Sequence, residues 1–238
     1  MSSGDVEPWL RASLVRRTEI SPGVVLLAFR VEPETDFAWN PGQYVRIAPP
    51  GSVHLAQPYS IASAPDDARP GEFELAVSRA GSGFPFAELS PGSSVLTSPP
   101  QGGFSWKPSA PSELFVAMGT GVAPLRAMIQ AGTRVAAQIP RVLLFGARTE
   151  ADVLFRAEFE RLAARSPAFH FEPTLSRPGP SWEGRRGRVH DHLPALVRPL
   201  VAPRAYVCGT LPMVKDSVEL LVALGVPREH IASEAHGE

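Results

Sequence analysis

The chain has 238 residues, 44% hydrophobic and 20% charged, which is the balance of a globular protein able to bury a core in one large or two modest domains. Its net charge of −1 leaves no electrostatic footprint for nucleic acid, and its single cysteine, Cys208, rules out a disulfide framework or a four-cysteine metal cluster within this chain. The N-terminus MSSGDVEPWLRASL lacks a basic stretch followed by an apolar one, and no apolar run approaches the roughly 18 residues of a membrane span, so the expectation is a cytoplasmic protein with no membrane span.

Short strands are expected first, at Leu10–Ile20, Val24–Arg30, Tyr44–Ala48, Tyr59–Ala62, Glu72–Ser78 and Ser94–Thr97, with a short helix over Phe84–Leu89. Pro-Gly turns at 22–23, 41–42, 70–71 and 91–92 punctuate them, a pattern that points to a sandwich or barrel. The segment Lys107–Ser112 reads as a linker. Beyond it, apolar strand patterns alternate with helical ones: Leu114–Ala117, a helix from Val122, Val142–Gly146, Ala157–Arg165, Phe169–Leu175, a helix over Asp191–Val197, Ala205–Cys208, a helix over Pro212–Leu224 and a short His230–Ser233. That alternation signals βαβ units and a parallel sheet. The expected division is therefore 1–107, all β, and 108–238, α/β.

Three strand ends in the second half carry chemistry. Gly119-Thr120-Gly121 links a buried strand to a helix whose first turn holds Pro124; free N–H groups and the helix dipole there suit a phosphate, although a simple closing turn reads equally well. It is neither a Gly-x-Gly-x-x-Gly fingerprint nor a P-loop. Arg148 follows the next strand, placed for a ribose or a 2′-phosphate, and Cys208-Gly209 through Met213 follows another. In a parallel sheet all three share one edge, the edge where ligands bind. In the first half, Gln57-Pro58-Tyr59-Ser60 places a phenol and a hydroxyl on opposite faces of a strand. Val77-Ser78 leads into Gly81-Ser82-Gly83, a loop that reads as a phosphate cradle or a plain hairpin.

The series PGQY (41–44), PYSIAS (58–63), GTGVAP (119–124), FGART (145–149) and CGTLPM (208–213) resembles the ferredoxin–NADP reductase superfamily over nearly the whole chain. The resemblance implies a six-stranded antiparallel barrel holding FAD, ahead of FMN, followed by an α/β domain holding NADH or NADPH. It implies that Tyr59 lies against the flavin ring and that Ser60 hydrogen-bonds near its N5. Val77 and Ser78 would contact the flavin, and Gly81, Ser82 and Gly83 its pyrophosphate. Thr120, between Gly119 and Gly121, would sit between flavin and nicotinamide, and Cys208 and Gly209 would border the nicotinamide. Glu234 matches a carboxylate that faces the flavin. The implied activity is hydride transfer between NAD(P)H and FAD, with electrons exchanged with a ferredoxin, a flavodoxin or an oxygenase component. The direction of flow, the oligomeric state and the choice of nucleotide stay open. Two departures stand out. Gln57 replaces an arginine that pairs with the pyrophosphate, which loses a charge-assisted contact and leaves open a non-catalytic, partner-dependent electron-transfer subunit. His236 stands where relatives place an aromatic residue, and reads as a solvated tail histidine.

Overall fold

The computed structural model describes residues 8–32, 37–67, 69–81, 83–108 and 110–236. Six antiparallel strands, β1 (Leu10–Ser21), β2 (Val24–Val31), β3 (Tyr44–Ala48), β4 (Gln57–Ser60), β5 (Glu72–Ser78) and β6 (Ser94–Thr97), form a sheet in the order β4-β3-β6-β1-β2-β5. The sheet closes on itself. Just past β4, Ile61 bridges Leu75, and the Ala62 N–H donates to the Glu74 carbonyl at 2.7 Å, which joins the two outer strands into a barrel. That closure explains why β4 begins at Gln57 and stops at Ser60: its first residues pair with β3, and the chain then crosses to β5. The helix expected over 84–89 is a single 3₁₀ turn, Phe86–Glu88, set between Pro85 and Pro91. Val25, Leu27 and Phe29 of β2 fill the barrel, with Val45, Ile47, Phe73 and Leu75.

The second sheet is wholly parallel: β7 (Glu113–Met118), β8 (Arg141–Ala147), β9 (Phe169–Leu175), β10 (Arg185–Arg186), β11 (Arg204–Thr210) and β12 (Ile231–His236), in the order β10-β9-β8-β7-β11-β12. Among the described residues four α-helices cover it: α1 (Val122–Val135), α2 (Arg156–Arg165), α3 (Leu193–Val197) and α4 (Leu211–Ala223). Side chains of β7 alternate between the faces. Phe115 and Ala117 pack with Leu125 and Ile129 of α1 and Phe159 of α2, whereas Leu114 and Val116 pack with Leu193 of α3 and Leu221 of α4. The first of these cores also takes in Leu26, Ala62 and Ala76 from the outside of the barrel, so barrel and α/β unit share apolar contacts.

Three local expectations change. The helix expected from Asp191 starts at Leu193, because residues 189–191 form a separate 3₁₀ turn in which the Asp191 carboxylate accepts the Arg188 N–H at 2.7 Å. The short strand at 230–233 extends to His236, pairing with β11 along its whole length. Finally, the two-residue strand β10 was not among the expected strands.

Charges at the seams are paired. Glu113 and Arg141 open neighbouring strands, face one another in register and form an ion pair at 2.5 Å with both side chains 1% exposed. The Trp106 indole N–H donates to the same Glu113 at 2.7 Å, which ties the residue just before the linker to the sheet. Across the two units, Arg126 of α1 donates to the Ala62 carbonyl and to Glu74, both at 2.8 Å, and to Glu158 of α2 at 2.9 Å, with its guanidinium over the Phe155 ring. Among the described residues no helix is long and apolar enough to cross a membrane.

Candidate active site

The connectivity creates one crevice. From β7 the chain steps outward through β8, β9 and β10, then returns to the far side of β7 as β11. The reversal lies between β7 and β11, and in open α/β sheets ligands bind at the carboxyl ends of strands at such a switch point. Residues 119–121 end β7 as a 3₁₀ turn, and Cys208-Gly209-Thr210 ends β11. The turns touch. A Cβ on Gly121 would fall 2.4 Å from the Cys208 carbonyl oxygen, so the glycine is required by the backbone of β11. Gly119 has φ +56 and open space around it, and Thr120 beside it is partly exposed. Pro124 is buried in the first turn of α1, and Met213 packs over Gly209, where a Cβ would meet its Cε at 2.4 Å. Arg148 is exposed just past β8, and its carbonyl accepts the Arg177 N–H at 2.8 Å, which brings two arginine residues to one corner of this edge.

The barrel contributes the opposite wall. Tyr59 and Ser60 do split between faces: Tyr59 is half-buried and edge-on to Phe86 at 6.0 Å, and Ser60 is buried. Burial pushes the Tyr59 phenol up to about 12. Ser60 Oγ donates to Glu234 Oε1 at 3.4 Å, a contact that spans from β4 of the barrel to β12 of the α/β unit. Glu234 is the register partner of Cys208. Burial raises the Glu234 carboxyl above its usual range, with the Ser60 hydroxyl pulling the other way. Burial, and then the nearby Glu234, push the Cys208 thiol well up. Cys208 Sγ lies 2.9 Å from His236 Nε2, and burial lowers the His236 imidazole. A protonated thiol donating to a neutral imidazole is the pairing both shifts favour. His236 is therefore no solvated tail residue: it closes β12, partly buried, opposite Thr210.

A cleft of about 80 Å³ continues along the barrel, lined by Gln57, Tyr59, Val77, Ser78, Gly81 and Gly83 among others. Gln57 spans it, accepting the Tyr59 hydroxyl at 2.9 Å and donating to the Phe84 carbonyl at 3.3 Å. Gly83, at φ +118, leaves room for that amide, because a Cβ would stand 2.3 Å from Gln57 Nε2. Pro58 is exposed beside it, and Ser82 lies outside the described residues. Arg79 borders the cleft but is held by Glu88 at 3.0 Å and Glu19 at 3.5 Å.

Residues 115–219 match the family model of the oxidoreductase NAD-binding domain. Ferredoxin--NADP reductase B of Sorangium cellulosum (strain So ce56) is 42% identical over 97% of this chain and 98% of its own length. The chain belongs to the ferredoxin–NADP reductase family. A longer relative, the ferredoxin--NAD(P)(+) reductase component of the naphthalene 1,2-dioxygenase/salicylate 5-hydroxylase systems of Ralstonia sp, is 34% identical over 87% of this chain, which spans 63% of that protein. The fold matches the Amycolatopsis cytochrome P450 reductase GcoB with a TM-score of 0.86 at 24% identity, over 97% of this chain and 70% of that one.

Within this ferredoxin–NADP reductase relative, two parts of the site escaped sequence reasoning. The Cys208–His236 contact exists only once β11 and β12 are paired. Arg126 did leave a signal, as the one charge within the buried run Val122–Ile129 of α1.

Proposed function

We propose that this chain is a flavin-dependent NAD(P)H reductase that moves hydride between a nicotinamide nucleotide and FAD and exchanges electrons with a carrier protein, a ferredoxin, a flavodoxin or an oxygenase component. The observation that carries the reading is the contact between Ser60 of the barrel and Glu234 of β12, beside Cys208 at the β7/β11 switch point. A ring-binding wall and a nucleotide-binding edge thus meet at one place, as a reaction between two stacked rings requires.

The residues present fit the flavin. Tyr59 offers a half-buried aromatic face, Ser60 a hydroxyl at the neighbouring position, and Val77, Ser78, Gly81 and Gly83 line a cleft beside Tyr59. FAD, when bound, supplies the redox chemistry, accepting two electrons with a hydride and releasing them singly or together. The protein's part is orientation and proton handling. Residues 1–107 form the flavin-binding unit and residues 108–238 the nucleotide-binding unit. Tyr59 and Pro58 flank the ring, and Gln57 stands in for a cation at the pyrophosphate with a neutral amide. Gly119, Thr120 and Pro124 shape the crevice floor, with Gly121 letting β11 close against it. Cys208, Gly209 and Met213 form the nicotinamide wall. Ser60 Oγ and Glu234 Oε1 hold a proton between them next to the ring. Arg148, with Arg177 alongside, favours the extra phosphate of NADPH over NADH. This chemistry belongs where NAD(P)H and carrier proteins are found together, in the cytoplasm.

The test is the visible spectrum of the protein loaded with FAD, followed anaerobically as NADPH or NADH is added. Flavin bands that bleach, faster with NADPH, are expected. A protein that takes up no FAD or FMN, or whose bound flavin neither nucleotide reduces, would overturn the reading.

A further inference from the structure

Cys208, Glu234 and His236 offer a thiol, a carboxylate and an imidazole whose ligating atoms all lie within 4.8 Å of one another. The placement is built into the sheet. Cys208 and Glu234 are direct partners across β11 and β12, and the period of two along a strand puts His236 on the same face as Glu234. All three positions are thus fixed by a hydrogen-bonded ladder rather than by a loop, which is the condition for a preorganised ligand set.

We propose that these three residues form a Zn²⁺ site. The donor set suits zinc, whose usual ligands are thiolate, imidazole and carboxylate, and turns away magnesium and calcium, which want oxygen throughout. Zinc bonds of about 2.0–2.3 Å in a tetrahedron put neighbouring ligand atoms on the order of 3.5 Å apart. The Cys208 and His236 atoms, now 2.9 Å apart, need to separate by less than an ångström, and the carboxylate needs only to swing inward. Three protein ligands leave one position open, and the Ser60 hydroxyl donates to the Glu234 ligand at 3.4 Å. On binding, the Cys208 thiol proton leaves to solvent, so thiolate, carboxylate and Zn²⁺ balance in charge. Glu234 and His236 are only partly buried, which gives the ion a way in. The consequence rests on the functional reading above: if Cys208 borders the nicotinamide, Zn²⁺ and nucleotide exclude one another, and the metal is an inhibitor of hydride transfer.

The experiment uses the FAD-loaded protein and ZnCl₂ in equilibrium dialysis with metal analysis, so that its readout does not depend on activity. One Zn²⁺ per chain is expected. Removing even a hydrogen-bonding partner of a ligand costs a site roughly 10–100-fold in affinity, so His236→Ala and Cys208→Ser lose at least that, while His54→Ala, in an exposed turn of the barrel, loses nothing. No stoichiometric uptake, or uptake that survives both substitutions, overturns the proposal. Should Cys208→Ser fail to fold, His236→Ala and His236→Gln, at the end of an outer strand, carry the test with circular dichroism as the check of folding. A second arm titrates NADP⁺ with and without Zn²⁺. Weaker nucleotide binding in the presence of metal is expected. Unchanged nucleotide affinity beside a metal site abolished by His236→Ala would leave the zinc site standing and remove the nicotinamide from Cys208.

Discussion

Arg126→Met asks what holds the flavin unit and the nucleotide unit in register. Arg126 has a 10% exposed side chain and links α1 to the barrel through the Ala62 carbonyl and Glu74, and to α2 through Glu158. Methionine keeps much of the volume over Phe155 and removes every donor. Leaving one partner of a buried ion pair uncompensated costs about 3–5 kcal/mol. Here the loss falls at the low end, because Glu74 keeps Arg16 at 2.6 Å and Glu158 keeps the Gln130 amide at 3.0 Å. The expectation is about 3 kcal/mol, read by urea denaturation of the FAD-loaded protein, with slower anaerobic flavin reduction because Ala62 lies two residues from Ser60. Arg126→Met with Glu74→Gln should recover part of the loss. A cost below about 1 kcal/mol, the range of exposed pairs, with unchanged reduction kinetics would show that Arg126 neither clamps nor positions.

Gly121→Ala drives a Cβ into the Cys208 carbonyl at 2.4 Å, whereas Gly119→Ala meets open space at φ +56. The first should cost about 1–3 kcal/mol through backbone displacement and shift the Cys208–Gly209 wall so that nucleotide binding weakens, the second about 1–2 kcal/mol of left-handed strain without moving that wall; NADP⁺ titrations separate them, and a Gly121→Ala protein that binds nucleotide like the unsubstituted chain would refute the contact. Gln57→Arg should tighten FAD about tenfold, since a charged hydrogen bond contributes roughly 1.5–3 kcal/mol, and flavin fluorescence quenching measures it. The lowered His236 imidazole predicts a pH effect. Its folded value lies below the unfolded one near 6.5, so its contribution is complete above about pH 6.5 and is lost as pH falls through the window below it. The raised Glu234 acts in the opposite sense, adding stability on the acid side and losing it as pH rises from about 4.3. His236→Gln should therefore shrink the acid-side loss of unfolding free energy; an unchanged profile would refute the assignment.

Much of the architecture was legible because punctuation is local. Pro-Gly turns separate the barrel strands, and the change to alternating strand and helix patterns after the linker needs no knowledge of contacts. Barrel closure at Ile61 and Leu75 was not legible, because it is a single bridge between strands distant in sequence. A two-residue strand such as β10 carries no periodicity to read. At the site, the resemblance singled out Tyr59, Ser60, Cys208 and Glu234 through short patterns, and the structure brings Ser60, Glu234 and Cys208 together beside the edge where the parallel sheet gathers three strand ends. His236 carried no local pattern, and its role as partner of Cys208 follows only from the β11–β12 register. The ion pair of Glu113 and Arg141 lay just outside the expected strands, which began at Leu114 and Val142, and it depends on which strands become neighbours.

The claim that Ser60 and Glu234 mark the hydride-transfer site is tested most directly by anaerobic stopped-flow reduction of the FAD-loaded protein, comparing Ser60→Ala with the unsubstituted chain. The Ser60 hydroxyl makes one partly buried hydrogen bond, so its loss should cost only about 1 kcal/mol of stability while slowing flavin bleaching by NADPH well beyond that of a surface substitution. Bleaching at the unsubstituted rate in a folded, flavin-loaded Ser60→Ala protein would contradict the account.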